Sequence, residues 1–370
     1  MTDYFVGPGG NNSNAGTSWA LRKLTIGGAE AIGLSAGDTV YVGPGTSRES
    51  VGPAASGSSG SPITFVGDVT GALTDGVGGI VRWTGSDDDV TAARQQSITA
   101  GARHYRTYRG FHFDLGSVRN IQLSNCNNWI IEDCAFTGNL SADRIGIHCD
   151  GSISNITIRR CVFQTPGWSV YVSNGGTDAT ATNFAVENCI FADTAYGVYV
   201  SDVDGIVVTN CLITGCFRGI YVTGLAATKS CYLYNSIVHG NYRGVEASAT
   251  PMIVENYNCF GVNSDGSRRN TDVGANSTAY IPHMAWPPQV ATFGLGGKLW
   301  GFDQASYSPV RAITGSSPAS DDWRGHARPA TGSKVSYGPL QFMPLTREAT
   351  TTYDSSPASV ELSDAGRAQF

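Results

Sequence analysis

The residues able to do chemistry are sparse in this chain and seldom fall in workable patterns. Its six histidines share no ligand-type spacing, and a phosphate loop and a dinucleotide fingerprint are missing. Asp87-Asp88-Asp89 has the charge density of a Ca²⁺ loop, but no bidentate Glu follows at a useful spacing, so it reads as a solvated loop. Asp202 and Asp204 sit in a turn and could hold a cation, although Asp in a Gly-bounded turn ordinarily bonds to its own backbone. Arg103-His104-Tyr105-Arg106-Thr107-Tyr108-Arg109 interleaves basic and aromatic residues as some nucleic-acid readers do. Strand alternation divides that run, with Arg103, Tyr105, Thr107 and Arg109 on one side and His104, Arg106 and Tyr108 on the other. It is expected to be a transitional rung with a charged outer face.

One stripe stands out. Arg218 and Arg243 precede Gly219 and Gly244 at equivalent positions, with Phe217 and Tyr242 before them, and Tyr196 before Gly197 extends the series. Exposed rings and arginines favour interfaces, so Tyr196, Phe217, Arg218, Tyr242 and Arg243 are the predicted binding residues, for sugar or for protein. The plainer reading is a repeated turn stabilised by stacking. No catalytic residue, metal-ligand set or cofactor is predicted.

These residues are positioned by a repeat. Ile130-Ile131-Glu132-Asp133-Cys134-Ala135-Phe136 returns as Ile156 to Phe163, Phe184 to Phe191 and Ile206 to Ile213, then more loosely as Tyr232 to Val238 and Ile253 to Asn258. From Cys134 the matching positions are 161, 189, 211, 236 and 257, in steps of 27, 28, 22, 25 and 21 residues. A second short strand follows each copy, usually led by Gly, as in Gly197-Val198-Tyr199-Val200 and Gly219-Ile220-Tyr221-Val222. Periods in the twenties on alternating β-branched and aromatic residues signal a solenoid of one turn per repeat, and without a leucine lattice or helical half it is a parallel β-helix. Asn188, Asn210, Asn235 and Asn256 suit an asparagine ladder at a bend, partial because Asp133 and Arg160 occupy the earlier copies. Cys134, Cys161, Cys189 and Cys211 are expected to stack inside the bore.

Composition agrees. Of 370 residues 47 are Gly and 4 are Met, which suits tight turns and short strands rather than helices. A net charge of −6 argues against non-specific nucleic-acid binding. Nine cysteines, an odd number placed mostly at inward positions, read as reduced buried thiols. No apolar run approaches the ~20 residues of a membrane helix, so no membrane partner is expected. Met1-Thr2-Asp3-Tyr4-Phe5 lacks a basic segment and an apolar stretch, which predicts synthesis in a cytoplasm without a signal peptide.

In chain order, residues 1–50 form an opening strand and a cap, with Thr17-Ser18 as N-cap of a short helix over Trp19-Ala20-Leu21-Arg22-Lys23-Leu24. Residues 51–260 make the parallel β-helix, 261–342 its irregular last turns and C-terminal cap, and 343–370 a tail or attachment arm. Tyr4-Phe5-Val6, the Asn-rich loop after it, Gly16-Thr17-Ser18-Trp19 and the Gly37 to Thr46 run resemble the entry segment of the pectate-lyase-like right-handed parallel β-helix superfamily. Asp321 to Pro329 with Tyr337-Gly338-Pro339-Leu340 resembles the closing segment of such proteins. The likeness spans Tyr4 to roughly Phe342, and its motifs are specific for fold rather than for function.

What the resemblance implies for chemistry is conditional. Lyases of this type hold Ca²⁺ between carboxylates and use an Arg or Lys base, and hydrolases pair two carboxylates. Of the family's hydrolase motifs only Asn270-Thr271-Asp272 occurs, in the irregular late region, and Val238-His239-Gly240 lacks the leading Gly. The chain is similar to virion-associated phage β-helix proteins such as head decorations, fibres and spikes. A non-enzymatic virion component is therefore expected, made in a host cytoplasm, touching other virion proteins and a host-surface glycan, and assembling as a homo-oligomer such as a trimer. The alternative is a polysaccharide lyase or glycoside hydrolase acting on a surface glycan, and a third reading is a non-catalytic glycan-binding module.

Overall fold

The computed structural model describes residues 1–86, 96–271 apart from 115–118, 138–143, 166, 175–178, 225–230, 250–251, 257 and 262, then 277–279 and the pairs 313–314 and 334–335. The chain winds as a parallel β-helix with three strands per turn. One turn runs Ser154–Arg159, Val162–Gln164 and Trp168–Ser173, and the next runs Ala179–Glu187, Ile190–Ala192 and Tyr196–Ser201. Each strand pairs in parallel with its equivalent one turn away, giving two sheets of ten strands and one of eight. The first sheet begins at Asp3–Val6 and ends at Ile253–Asn256. The second runs from Gly45–Arg48 to Thr278–Ala279, and the third from Ile98–Gly101 to Arg268–Arg269.

Register follows from which side chains must face the bore. Phe113, Phe136, Phe163 and Phe191 stack in line on the second sheet at 5.1, 4.7 and 5.0 Å between ring centres. Phe65, Tyr108 and Trp129 stack on the first sheet at 5.0 and 5.3 Å. A one-residue slip would turn a whole column outward, so these stacks pin every rung. The glycine leading the third-sheet strands has a steric cause. A Cβ on Gly197 would lie 2.5 Å from the Gly219 carbonyl oxygen, and one on Gly219 would lie 2.4 Å from that of Gly244.

The first and second sheets meet at a bend whose leading residue takes the left-handed conformation: Asp133, Arg160, Asn188, Asn210 and Asn235 have φ of 51–55°. Asn tolerates that conformation better than most residues, which is why the ladder favours it. Asn256 does not join it. It pairs with Tyr234 as the last residue of its strand, one place before the ladder position, and Asn258 stands level with Ser236, whose N–H its Oδ1 accepts at 2.9 Å. The spelling Asn256-Tyr257-Asn258 had hidden a one-residue displacement. Cys134, Cys161, Cys189 and Cys211 line the inside of this bend, each donating to the carbonyl two residues back at 3.1–3.3 Å. All nine cysteines are free and buried, and burial pushes the Cys231 thiol up to about 12.

The N-terminal cap differs in detail from the helix expected over 19–24. Trp19–Leu21 is one 3-10 turn capped by Ser18, and the α-helix is Ile26–Glu30, capped by Thr25 and by Glu49, which accepts from the Ile26 and Gly27 N–H groups. Within the basic and aromatic run Arg109 is exposed, and Arg106, on the other side of the alternation, is buried. It points into the bore and binds Glu30 of the cap helix at 2.6 and 3.1 Å, with its guanidinium over Phe65. At the other end Glu255 and Arg268 also turn inward and pair at 2.7 Å, with Arg268 over Phe260 at 3.8 Å. A paired charge packed on an aromatic ring thus closes each end of the column among the described residues. The acidic cluster 87–89, the expected closing segment and the 343–370 arm lie outside the described residues.

Candidate binding face on the third sheet

The third sheet presents its outer side as a ladder of rings. Period-2 alternation sends Val170, Val172, Val198, Val200, Ile220 and Val222 inward, and so sends Tyr171, Tyr199 and Tyr221 outward in register. His148 stacks on Tyr171 at 4.6 Å, Tyr171 on Tyr199 at 4.9 Å, and Tyr199 lies 5.2 Å from Tyr221. Trp168 stands edge-on beside Tyr171 and Tyr199 at 4.8 and 5.0 Å, and Tyr196 flanks Tyr199 at 5.4 Å. Trp168 and the four tyrosines are half-buried. Ser173, Ser201 and Thr223 form a parallel column of hydroxyls, aligned by the same pairing.

Charged groups occupy both ends of the ladder. At the C-terminal end Arg218 lies over Tyr221 at 4.3 Å and donates to the Tyr196 hydroxyl at 2.6 Å. Glu246 receives Arg218 at 2.5 Å and Arg243 at 2.9 Å, with Arg269 at 3.4 Å, and Asp265 holds Arg243 at 2.7 Å. The paired Arg243 guanidinium holds the Asp265 carboxyl below its usual range. Three arginines therefore share two carboxylates at one end of an aromatic face.

At the other end Arg119 donates to Gln122, and Gln122 donates to Asp150 at 3.2 Å. His148 shares a hydrogen bond with Ser173 at 3.0 Å and has Asp150 at 3.7 Å from Nδ1, which lacks a hydrogen bond. Burial, then the Arg119 charge, lowers the His148 pKa to about 4, so the imidazole is neutral at pH 7.

The predicted binding residues fall on this face and its rim. Tyr196, Arg218 and Arg243 are one registered column, joined by Trp168 on the preceding turn. Phe217 and Tyr242 are a separate pair on the adjoining bend, stacked at 4.9 Å and 47% and 42% exposed. Trp168, Tyr171, Tyr199, Tyr221, His148, Arg119 and Glu246 were missed, although the thrice-repeated Val-Tyr-Val or Ile-Tyr-Val spelling carried the tyrosines' signal. The other candidates are structural. Asp204 accepts from the Gly205 N–H at 2.9 Å and Ser201 donates to Asp202. Asn270 donates to the Ala247 carbonyl, while Asp272 lies outside the described residues. His239 is buried on the outside of the second sheet.

A family model described as a right handed beta helix region matches residues 107–266. The fold is that of a right-handed parallel β-helix. Among solved structures it is similar to a rhamnogalacturonan lyase, at 16% identity and a TM-score of 0.51 over 75% of this chain and 87% of that one. It is also similar to pectate lyase Pel9A, at 14% identity and 0.49 over 92% and 96%. A lacto-N-biosidase from Eubacterium ramulus gives 11% identity and 0.47 over 76% and 68%. Identities this low carry the fold and not the activity. No curated protein matches in sequence.

Proposed function

We propose that this β-helix recognises an acidic polysaccharide along the outer face of its third sheet. The observation that carries the reading is the half-buried ladder Tyr171, Tyr199 and Tyr221, flanked by Trp168 and Tyr196 and ended by the Arg218, Arg243 and Arg269 cluster. Sugar rings pack on aromatic faces, and guanidinium groups bind carboxylates in a fixed fork. The Ser173, Ser201 and Thr223 hydroxyls suit sugar hydroxyls. The rhamnogalacturonan lyase of the same fold is in keeping with a polysaccharide ligand, whereas a virion role has no described feature of its own in support. The test is affinity electrophoresis through gels carrying alginate, polygalacturonate or neutral xylan. Retardation by an acidic polymer, abolished in Tyr199→Ala, is expected; equal mobility in every gel overturns the reading.

A further inference from the structure

We propose that the bend beside Phe217 seats a neutral sugar branch, so that the acidic polysaccharide recognised by the third sheet is a branched one. The inference rests on the glycan reading for the main chain, and on separate residues for the branch. Trp168, Tyr196, Arg218 and Arg243 are registered partners, so the residues before them, Gly167, Ala195, Phe217 and Tyr242, form a column on the bend that leads from the second sheet into the third. Backbone bonds hold that column, the Arg218 N–H donating to Ala195 and the Arg243 N–H to Phe217. It changes from small residues to rings between Ala195 and Phe217.

That change makes a recess. Tyr242 covers one face of Phe217, parallel to within 3°. The other face looks toward Ala195 and Gly167, whose side chains are a methyl and a hydrogen. Phe217 and Gly167 stand two strand spacings apart, or about 10 Å. Arg218 borders the recess on the ladder side, 5.3 Å from the Phe217 ring centre, where it also binds the Tyr196 hydroxyl. Asp193, exposed and two residues before Ala195, borders it on the side away from the ladder. Its Oδ1 lies 2.2 Å from where a Cβ on Gly215 would stand, so the carboxylate leans toward the turn that carries Phe217. Gly215, at φ 67°, leaves it the room. Among the described residues that carboxylate has no hydrogen bond or ion pair.

An aromatic face, a small floor and one unpaired acceptor suit a single sugar. The C–H face of a pyranose packs on the ring, and the carboxylate accepts from its hydroxyls. Charge then selects which sugar. The Arg218 guanidinium is already met by Glu246 at 2.5 Å, whereas Asp193 has no counter-charge, so the recess repels a uronate and favours a neutral ring. The arginine end of the ladder has the opposite preference. Arg218 touches both Tyr221 and Phe217, so the two seats adjoin and main chain and branch are told apart by charge.

The test uses the full chain, isotope-labelled at its alanine methyls and titrated with methyl β-galactopyranoside, methyl β-glucopyranoside and methyl β-galacturonide. The Ala195 signal is assigned by its loss in Ala195→Ser. A saturable Ala195 shift with a neutral glycoside is expected, lost in Phe217→Ala and about tenfold weaker in Asp193→Asn, which removes a charge-assisted hydrogen bond. Affinity electrophoresis then compares an acidic polymer bearing single neutral branches with the same polymer after enzymatic debranching. The branches are expected to tighten binding about tenfold. Phe217→Ala should erase that difference, and Tyr199→Ala should weaken binding of both polymers. Equal binding of the two polymers, an Ala195 signal indifferent to every neutral glycoside, or a stronger response to the galacturonide overturns this proposal. An Ala195 response to neutral glycosides with no binding of either polymer upholds the recess as a sugar seat and overturns the acidic main chain instead.

Discussion

Two stacks of rings run along this molecule, one inside and one outside, and they are built by the same rule. Phe113, Phe136, Phe163 and Phe191 repeat in register within the bore, and His148, Tyr171, Tyr199 and Tyr221 repeat in register on the outer face of the third sheet. The inner stack is fully buried and has no polar atom. The outer one carries hydroxyls and an imidazole, stays half-open along the tyrosines and ends in arginines. Parallel in-register pairing yields a ladder wherever one residue type recurs, so the ladder is not itself a sign of function. The polar atoms and the exposure are what differ, and the proposed glycan-binding role rests on them.

Breaking the inner stack is expected to have the larger effect. Phe163→Ala leaves a cavity between two stacked rings and should lower the unfolding free energy by about 3–5 kcal/mol, read by denaturant titration. Any glycan binding should persist in the fraction that stays folded. Tyr199→Ala on the outside reverses the pattern. Stability should fall by about 1 kcal/mol, since a partner ring is lost without a closed cavity. Affinity for an acidic polysaccharide should fall by about 10- to 100-fold, in line with the loss of a central anchor.

The outer stack also carries the pH signature. His148 has its pKa depressed to about 4 from 6.5, so the unfolded chain binds the proton more readily. Its contribution to stability is complete above pH 6.5 and is lost as pH falls toward 4, by about 1 kcal/mol per pH unit. His148→Gln should remove that slope from the pH dependence of unfolding. The mildest change is Phe217→Ser on the exposed rim, expected to shift stability by less than about 0.5 kcal/mol. Its effect on glycan affinity should be only a few-fold, measured in the same gels.

The fold was legible because its signal is repetition. Recurrence of β-branched and aromatic residues around Cys134, Cys161, Cys189 and Cys211 locates the rungs, and a β-helix satisfies that pattern with little else to decide. Legibility failed where repeats drift by one residue. Asn256 resembles a ladder asparagine in spelling, yet it pairs with Tyr234, one place before the bend. It failed again where partners are remote, since nothing near Arg106 in sequence announces Glu30, which lies 76 residues away. The candidate site was half legible. The arginine column and the Phe217–Tyr242 pair could be read from local spelling, because they adjoin a bend marked by Gly. The tyrosine ladder needs the register of the third sheet before its members can be seen to touch, and the arginines' sharing of Glu246 needs three successive turns.

The claim that the outer ladder is a polysaccharide seat is tested most directly by one comparison. Binding constants for an acidic polysaccharide should be measured for the unsubstituted chain, for Tyr199→Ala with Tyr221→Ala, and for Phe163→Leu, with folding of each confirmed by circular dichroism. Binding by the unsubstituted chain and by Phe163→Leu, with a loss of at least tenfold in the double tyrosine variant, is the result predicted. Equal affinity in all three, or binding by none, would contradict it.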